Sequence, residues 1–143
     1  MTTTSVHAYP PSPLHPLHAL LLGGSMPLFL GALFSDIAYY NSYQIQWSNF
    51  ASWLLAGALL FSGLALLCAL IGLFRRTRRH GRPLVYFLVL LAGWILGFIN
   101  SLVHAKDAWA IMPEALVLSV VVTLLMLAAT WLGFFGMRFG GVQ

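Results

Sequence analysis

The chain has 143 residues, of which 60% are hydrophobic and 7% charged, and its formal net charge is +4. Soluble domains carry roughly a quarter charged residues, so a water-facing surface cannot be built from this composition and a soluble fold is excluded. Five of the seven Lys/Arg residues fall between Arg75 and Arg82 rather than over a folded face, which excludes nucleic-acid binding as well.

A membrane-spanning helix needs about 20 apolar residues, and the chain has room for four. Residues 1–14 are polar and Pro-rich, with Pro10, Pro11 and Pro13 favouring an extended tail. They lack the basic start of a cleavable signal peptide, so the following apolar run is expected to stay as an anchor. Pro16 suits a first helical turn, and the first span is expected from about Leu17 to Tyr40. Within it Gly23, Gly24 and Pro27 predict a kink near Gly23, with a neighbouring helix or Ser25 compensating the backbone donor that Pro27 lacks. The polar-aromatic stretch Asn41–Asn49 reads as an outer connection, with Ser48 or Asn49 capping a second span from about Phe50 to Phe74.

The basic stretch RRTRRHGR follows, punctuated by Gly81 and Pro83, and a third span runs from about Leu84 to Val103. His104–Met112 forms a second outer connection. Pro113 opens a fourth span that ends near Met137, with Glu114 placed favourably at the helix N-terminus. Residues 15–138 thus make one four-span domain, and residues 139–143 a short tail. The single cysteine, Cys68, rules out a disulfide within the chain and reads as a small buried hydrophobe.

Short basic loops stay on the cytoplasmic side of a bilayer, because carrying Lys and Arg across is costly. Arg75, Arg76, Arg78, Arg79 and Arg82 therefore set the topology: with Arg138 and both termini they face the cytoplasm of a bacterial inner membrane. All three acidic residues, Asp36, Asp107 and Glu114, fall on the other side with Lys106, beside an aromatic belt of Trp47, Trp53, Trp109, Tyr39, Tyr40 and Tyr43. Short connections make consecutive spans antiparallel neighbours, so the expected fold is an all-α, integral membrane antiparallel four-helix bundle. Gly93 and Gly97 form a GxxxG pair, as do Gly136 and Gly140. The first is a packing face within the bundle or between protomers of a homo-oligomer.

Two polar groups could carry chemistry. Asn100 and His104 are four apart and share a helix face, and Asp36 approaches their level from the first span. Lys106 and Asp107 follow on one connection, with Trp109, while Trp47 and Asn49 come from the other. Ionisable groups at a membrane boundary are expensive unless paired or hydrated, so this cluster is a site candidate, with Asp36 paired to His104 or Lys106. The alternative is a set of hydrated groups capping helix ends in the headgroup layer. The second group is His15 and His18, three apart at the start of the first span, with His80 on the same side. These are candidate haem or metal ligands; the competing reading is a hydrated helix start. His18 and His104 cannot share a haem within one chain, since about 30 Å of hydrocarbon separates them. Ser25, Ser35, Ser62, Ser101 and Ser119 are expected to bond back to helix carbonyls.

The stretches HPLHALLLGGSMPLFLGALFSDIAYY, YQIQWSNFASWLLAG and FINSLVHAKDAWAIMP resemble a large group of bacterial four-helix proteins labelled predicted membrane protein, domain of unknown function. The resemblance runs from about His15 to Gly136 and implies an inner-membrane bundle with no assigned activity. Relatives in that group are joined to Rieske iron–sulfur domains or occur beside quinoproteins resembling sorbosone dehydrogenase, which implies a periplasmic redox partner. Carried over by position, the family-like residues are His15, His18, Asp36, Tyr39, Trp47, Asn49, Asn100, His104, Lys106, Asp107 and Trp109. Many members have a further histidine in the first span, where this chain has Gly23–Met26. The expectation is an accessory protein, not an enzyme by itself, that docks a redox partner in a membrane or periplasmic complex. It would pass electrons toward quinone through a haem b or a bound quinone. The alternative is a structural or assembly subunit without a cofactor.

Overall fold

In the computed structural model, described for residues 15–75 and 81–135, four helices form an antiparallel bundle: α1 (Pro16–Ser42), α2 (Ile45–Arg75), α3 (Arg82–His104) and α4 (Glu114–Phe134). Each is long and apolar enough to cross a membrane. Neighbours around the bundle are α1/α2, α2/α3, α3/α4 and α4/α1, so α1 and α3 face each other across a diagonal. We refer to the end holding Asp36, His104 and Glu114 as the acidic end and to the end holding Arg75 and Arg82 as the basic end. Arg76, Arg78, Arg79, His80, Arg138 and the Gly136–Gly140 pair lie outside the described residues.

The first connection is far shorter than the nine residues expected from composition. Only Tyr43 and Gln44 separate α1 from α2. Asn41 and Ser42 extend α1 because their side chains donate to the carbonyls of Ile37 and Ala38, at 2.9 and 2.7 Å. Tyr43 then adopts a left-handed conformation with φ 51°, and its N–H closes onto the Tyr39 carbonyl. Ser48 and Asn49 accordingly do not cap α2. They sit inside its first turns, where the Ser48 carbonyl accepts from Ser52. At 31 residues α2 spans about 46 Å, longer than the hydrocarbon layer, so its polar first turn reaches the interface.

α1 runs as one helix through Gly23, Gly24 and Pro27. Ser25 donates to the Leu22 carbonyl at 2.8 Å, one residue before the Gly23 carbonyl that Pro27 leaves without its usual donor. At the basic turn Gly81 has φ +92°, a conformation a side chain would strain, and it caps α3 ahead of Pro83. The core is a column of Leu22, Phe29, Ala32, Leu55, Leu90 and Met126, each fully buried. The Gly93–Gly97 pair packs inside the chain rather than between protomers. A Cβ on Gly93 would lie 2.8 Å from the Met126 sulfur, and one on Gly97 3.2 Å from Phe29 and Leu59. Tyr39 leaves the expected aromatic belt: it is buried, in a small second cluster with Val103, Ile111 and Ala115 at the acidic end.

Candidate functional site

The polar residues of the acidic end meet inside the bundle. Asp36 lies on the buried face of α1, seven residues beyond Phe29, and is completely enclosed. Asn100 and His104, one turn apart, point the same way from α3, and Ser119 joins them from the second turn of α4. His104 Nε2 lies 2.8 Å from Asp36 Oδ1 across the α1/α3 diagonal. Ser119 donates its hydroxyl to Asp36 Oδ2, and Asn100 Nδ2 donates to Ser119 Oγ at 2.7 Å. His104 Nδ1 lies 3.0 Å from the Asn100 carbonyl. Four side chains from three helices thus form one enclosed network.

The donor and acceptor inventory fixes its protons. A carbonyl only accepts, so His104 Nδ1 carries a hydrogen and donates to Asn100. One further proton lies between His104 Nε2 and Asp36 Oδ1. The network is therefore neutral overall, whether that proton sits on the imidazole or on the carboxyl group. Neutrality is what an apolar interior demands, since an uncompensated charge there costs several kcal/mol. One group is left over: Asn100 Oδ1 is buried and no donor reaches it. The Ser119 hydroxyl donates to the carboxylate and not to the imidazole, so no Ser–His pair forms.

Of the expected site residues, the structure brings together Asp36, Asn100 and His104, and these are not hydrated caps. The others stay outside. Lys106 pairs with Glu114 at 2.9 Å rather than with Asp36, on an exposed surface. Asp107 caps the short 3-10 turn Ala108–Ala110 by accepting from the Trp109 N–H. Trp109 is exposed and stacks on Tyr43, with ring centroids 6.0 Å apart, while Trp47 and Asn49 lie on the outside of α2. Ser119 departs from expectation: Ser25, Ser35 and Ser62 bond back to carbonyls of their own helix, but Ser119 bonds across to α1. Its signal in the sequence is the small-polar stripe Ala115, Ser119, Thr123 in a run otherwise of Leu and Val.

At the basic end His18 is buried and its Nε2 lies 2.6 Å from the hydroxyl of Tyr86, again across the α1/α3 diagonal. Nothing in local spacing links Tyr86 to His18; the two lie 68 residues apart in the sequence. His15 caps α1 by accepting from the Leu17 N–H.

The chain matches the family model described as Predicted membrane protein (DUF2231) over residues 14–136. It belongs to that family. Neither the curated proteins nor the solved structures compared with it give a match. For this DUF2231 chain the resemblance seen in the sequence is thus confirmed, together with a membrane bundle of four apolar helices.

A haem b does not fit the two buried histidines of this family member. Both ring nitrogens of His104 are engaged by Asp36 and Asn100, and Nε2 of His18 by Tyr86. His18 and Asp36 are also 18 residues apart on α1, about 27 Å of helix rise, so the two buried histidines lie at opposite ends. Of the other two ligand candidates, exposed His15 accepts from the Leu17 N–H through Nδ1, and His80 is outside the described residues.

Proposed function

We propose that this is an accessory inner-membrane protein that docks a periplasmic redox partner at its acidic end, with the basic turn and both termini in the cytoplasm. The observation that carries the reading is the contrast between surface and interior at that end. Exposed Tyr43, Trp109, Asp107 and the Lys106–Glu114 pair stand at or beside the ends of α1, α3 and α4, which the Asp36 network ties together, with Trp47 on the first turn of α2. Clustered exposed aromatic and charged side chains are what a protein partner recognises. The orientation rests on the bias of Arg residues to the other end. The redox class of the partner, and the passage of electrons toward quinone, come from the resemblance.

The test is a photo-crosslinking amino acid placed at Trp109 or, as a control at the other end, at Trp131, in native membranes. Docking gives an adduct from position 109 only, with a partner whose quinone reduction falls in Trp109→Ala membranes. Equal adducts from both positions, or none, remove the docking reading.

The assembly-subunit reading has its own support, since Asp36, His104, Ser119 and Asn100 largely satisfy one another and tie three helices together. His104→Ala separates the two. Lost quinone reduction with the complex intact favours the redox role, and a lost complex favours assembly.

A further inference from the structure

We propose that the Asp36–His104 pair is a proton-exchange site open only toward the acidic end, covered by residues 105–113 and latched by the Tyr39 hydroxyl. Three observations meet here. The first is the proton accounting: one proton is shared between an enclosed carboxylate and an enclosed imidazole, on side chains from different helices.

The second is the asymmetry of what encloses the pair. Toward the basic end stands the full column of Phe29, Leu55, Leu90 and Met126. Toward the acidic end there is only the small cluster of Tyr39, Val103, Ile111 and Ala115. Tyr39 is three residues beyond Asp36, Val103 adjoins His104 and Ala115 is four residues before Ser119, so this layer is one helical turn deep. A single side-chain hydrogen bond ties it to α1: the Tyr39 hydroxyl donates to the Ala108 carbonyl at 2.8 Å. The segment it holds, residues 105–113, contains one 3-10 turn and the Lys106 end of an exposed ion pair, and rests further on buried Ile111 and on Trp109 stacked against Tyr43.

The third observation is Asn100 Oδ1, an enclosed acceptor that no protein donor reaches. Buried polar groups of this kind are commonly satisfied by water. Asn100 stands one turn below His104 on α3, so a water that passes the latch reaches the level of the shared proton first and is anchored beside it by donating to Asn100 Oδ1. Exchange then swaps one proton of the water for one on the imidazole, so the charge of the network is unchanged. The groups facing the pair are Asp36 and Tyr39 from α1, Asn100 and His104 from α3, and Ser119 from α4. α2 carries no ionisable side chain before Cys68, and Lys106, Asp107 and Glu114 lie on the exposed side of the cover.

The experiment is water-exchange NMR on the full-length, 15N-histidine-labelled protein in nanodiscs, with His104→Gln identifying the His104 ring N–H signals. The wild-type protein shows slowly exchanging His104 ring protons. Tyr39→Phe removes the latch and speeds their exchange about fivefold, the population change expected from losing one ordinary buried hydrogen bond, while His18 is unchanged. Ile111→Ala, which thins the cover, acts in the same direction should Tyr39→Phe not fold. The proposal is overturned by any of three results: His104 exchange unaltered in folded variants, equal acceleration at His18, or wild-type His104 protons exchanging as fast as those of exposed His15.

Discussion

The two ends of the bundle solve one problem in different ways. At each end a histidine is buried in the α1/α3 diagonal, where these helices are not neighbours, and must find a partner on the opposite helix. At the basic end the partner is a neutral phenol, and the tie is one hydrogen bond between His18 and Tyr86. At the acidic end the partner is a carboxylate, which brings a second acceptor atom and recruits Ser119 and Asn100 to satisfy it. A charged or proton-sharing partner thus needs a network, whereas a neutral one needs only a contact. The difference teaches that the acidic end holds three helices in register and the basic end two.

Breaking the acidic tie has the largest expected effect. Asp36→Ala strands the His104 Nε2 and the Ser119 hydroxyl in the core and should cost about 3–5 kcal/mol, read as a lowered midpoint in SDS unfolding from mixed micelles. A loss no greater than that of the basic tie would erase the distinction between the ends. Tyr86→Phe removes one partner of the His18 hydrogen bond and should cost about 1–2 kcal/mol in the same assay.

Gly133→Ala sharpens the comparison from the packing side. Its new Cβ would lie 2.6 Å from a Leu22 methyl and 3.2 Å from the Tyr86 ring. The methyl can move but the ring is held by His18, so about 1 kcal/mol is expected, and less in a Tyr86→Phe background. Lys106→Ala, which breaks an ion pair with both side chains about half exposed, should cost under about 1 kcal/mol, and the effect should fade as salt is raised. A large, salt-independent loss there would mean that the surface pair braces the cover over His104.

The sequence by itself determined the class and the order of the elements. Apolar runs broken by RRTRRHGR and by two polar stretches leave no choice but four antiparallel helices, because the bilayer requires every span to satisfy its own backbone. It also brought Asn100 and His104 onto one face, since helical spacing is local. Helix ends were less legible: Asn41–Asn49 looks like a loop by composition, yet Asn41 and Ser42 bond to their own helix and Tyr43 turns the chain in two residues. The partners were decided only by the tertiary structure. Asp36 could have met Lys106, and Ser119 could have bonded back within α4. Which residue stands across a diagonal depends on helix rotation and depth, and these are set by the summed packing of small residues such as Gly93 and Gly97 against distant side chains. No local pattern in the chain encodes that sum.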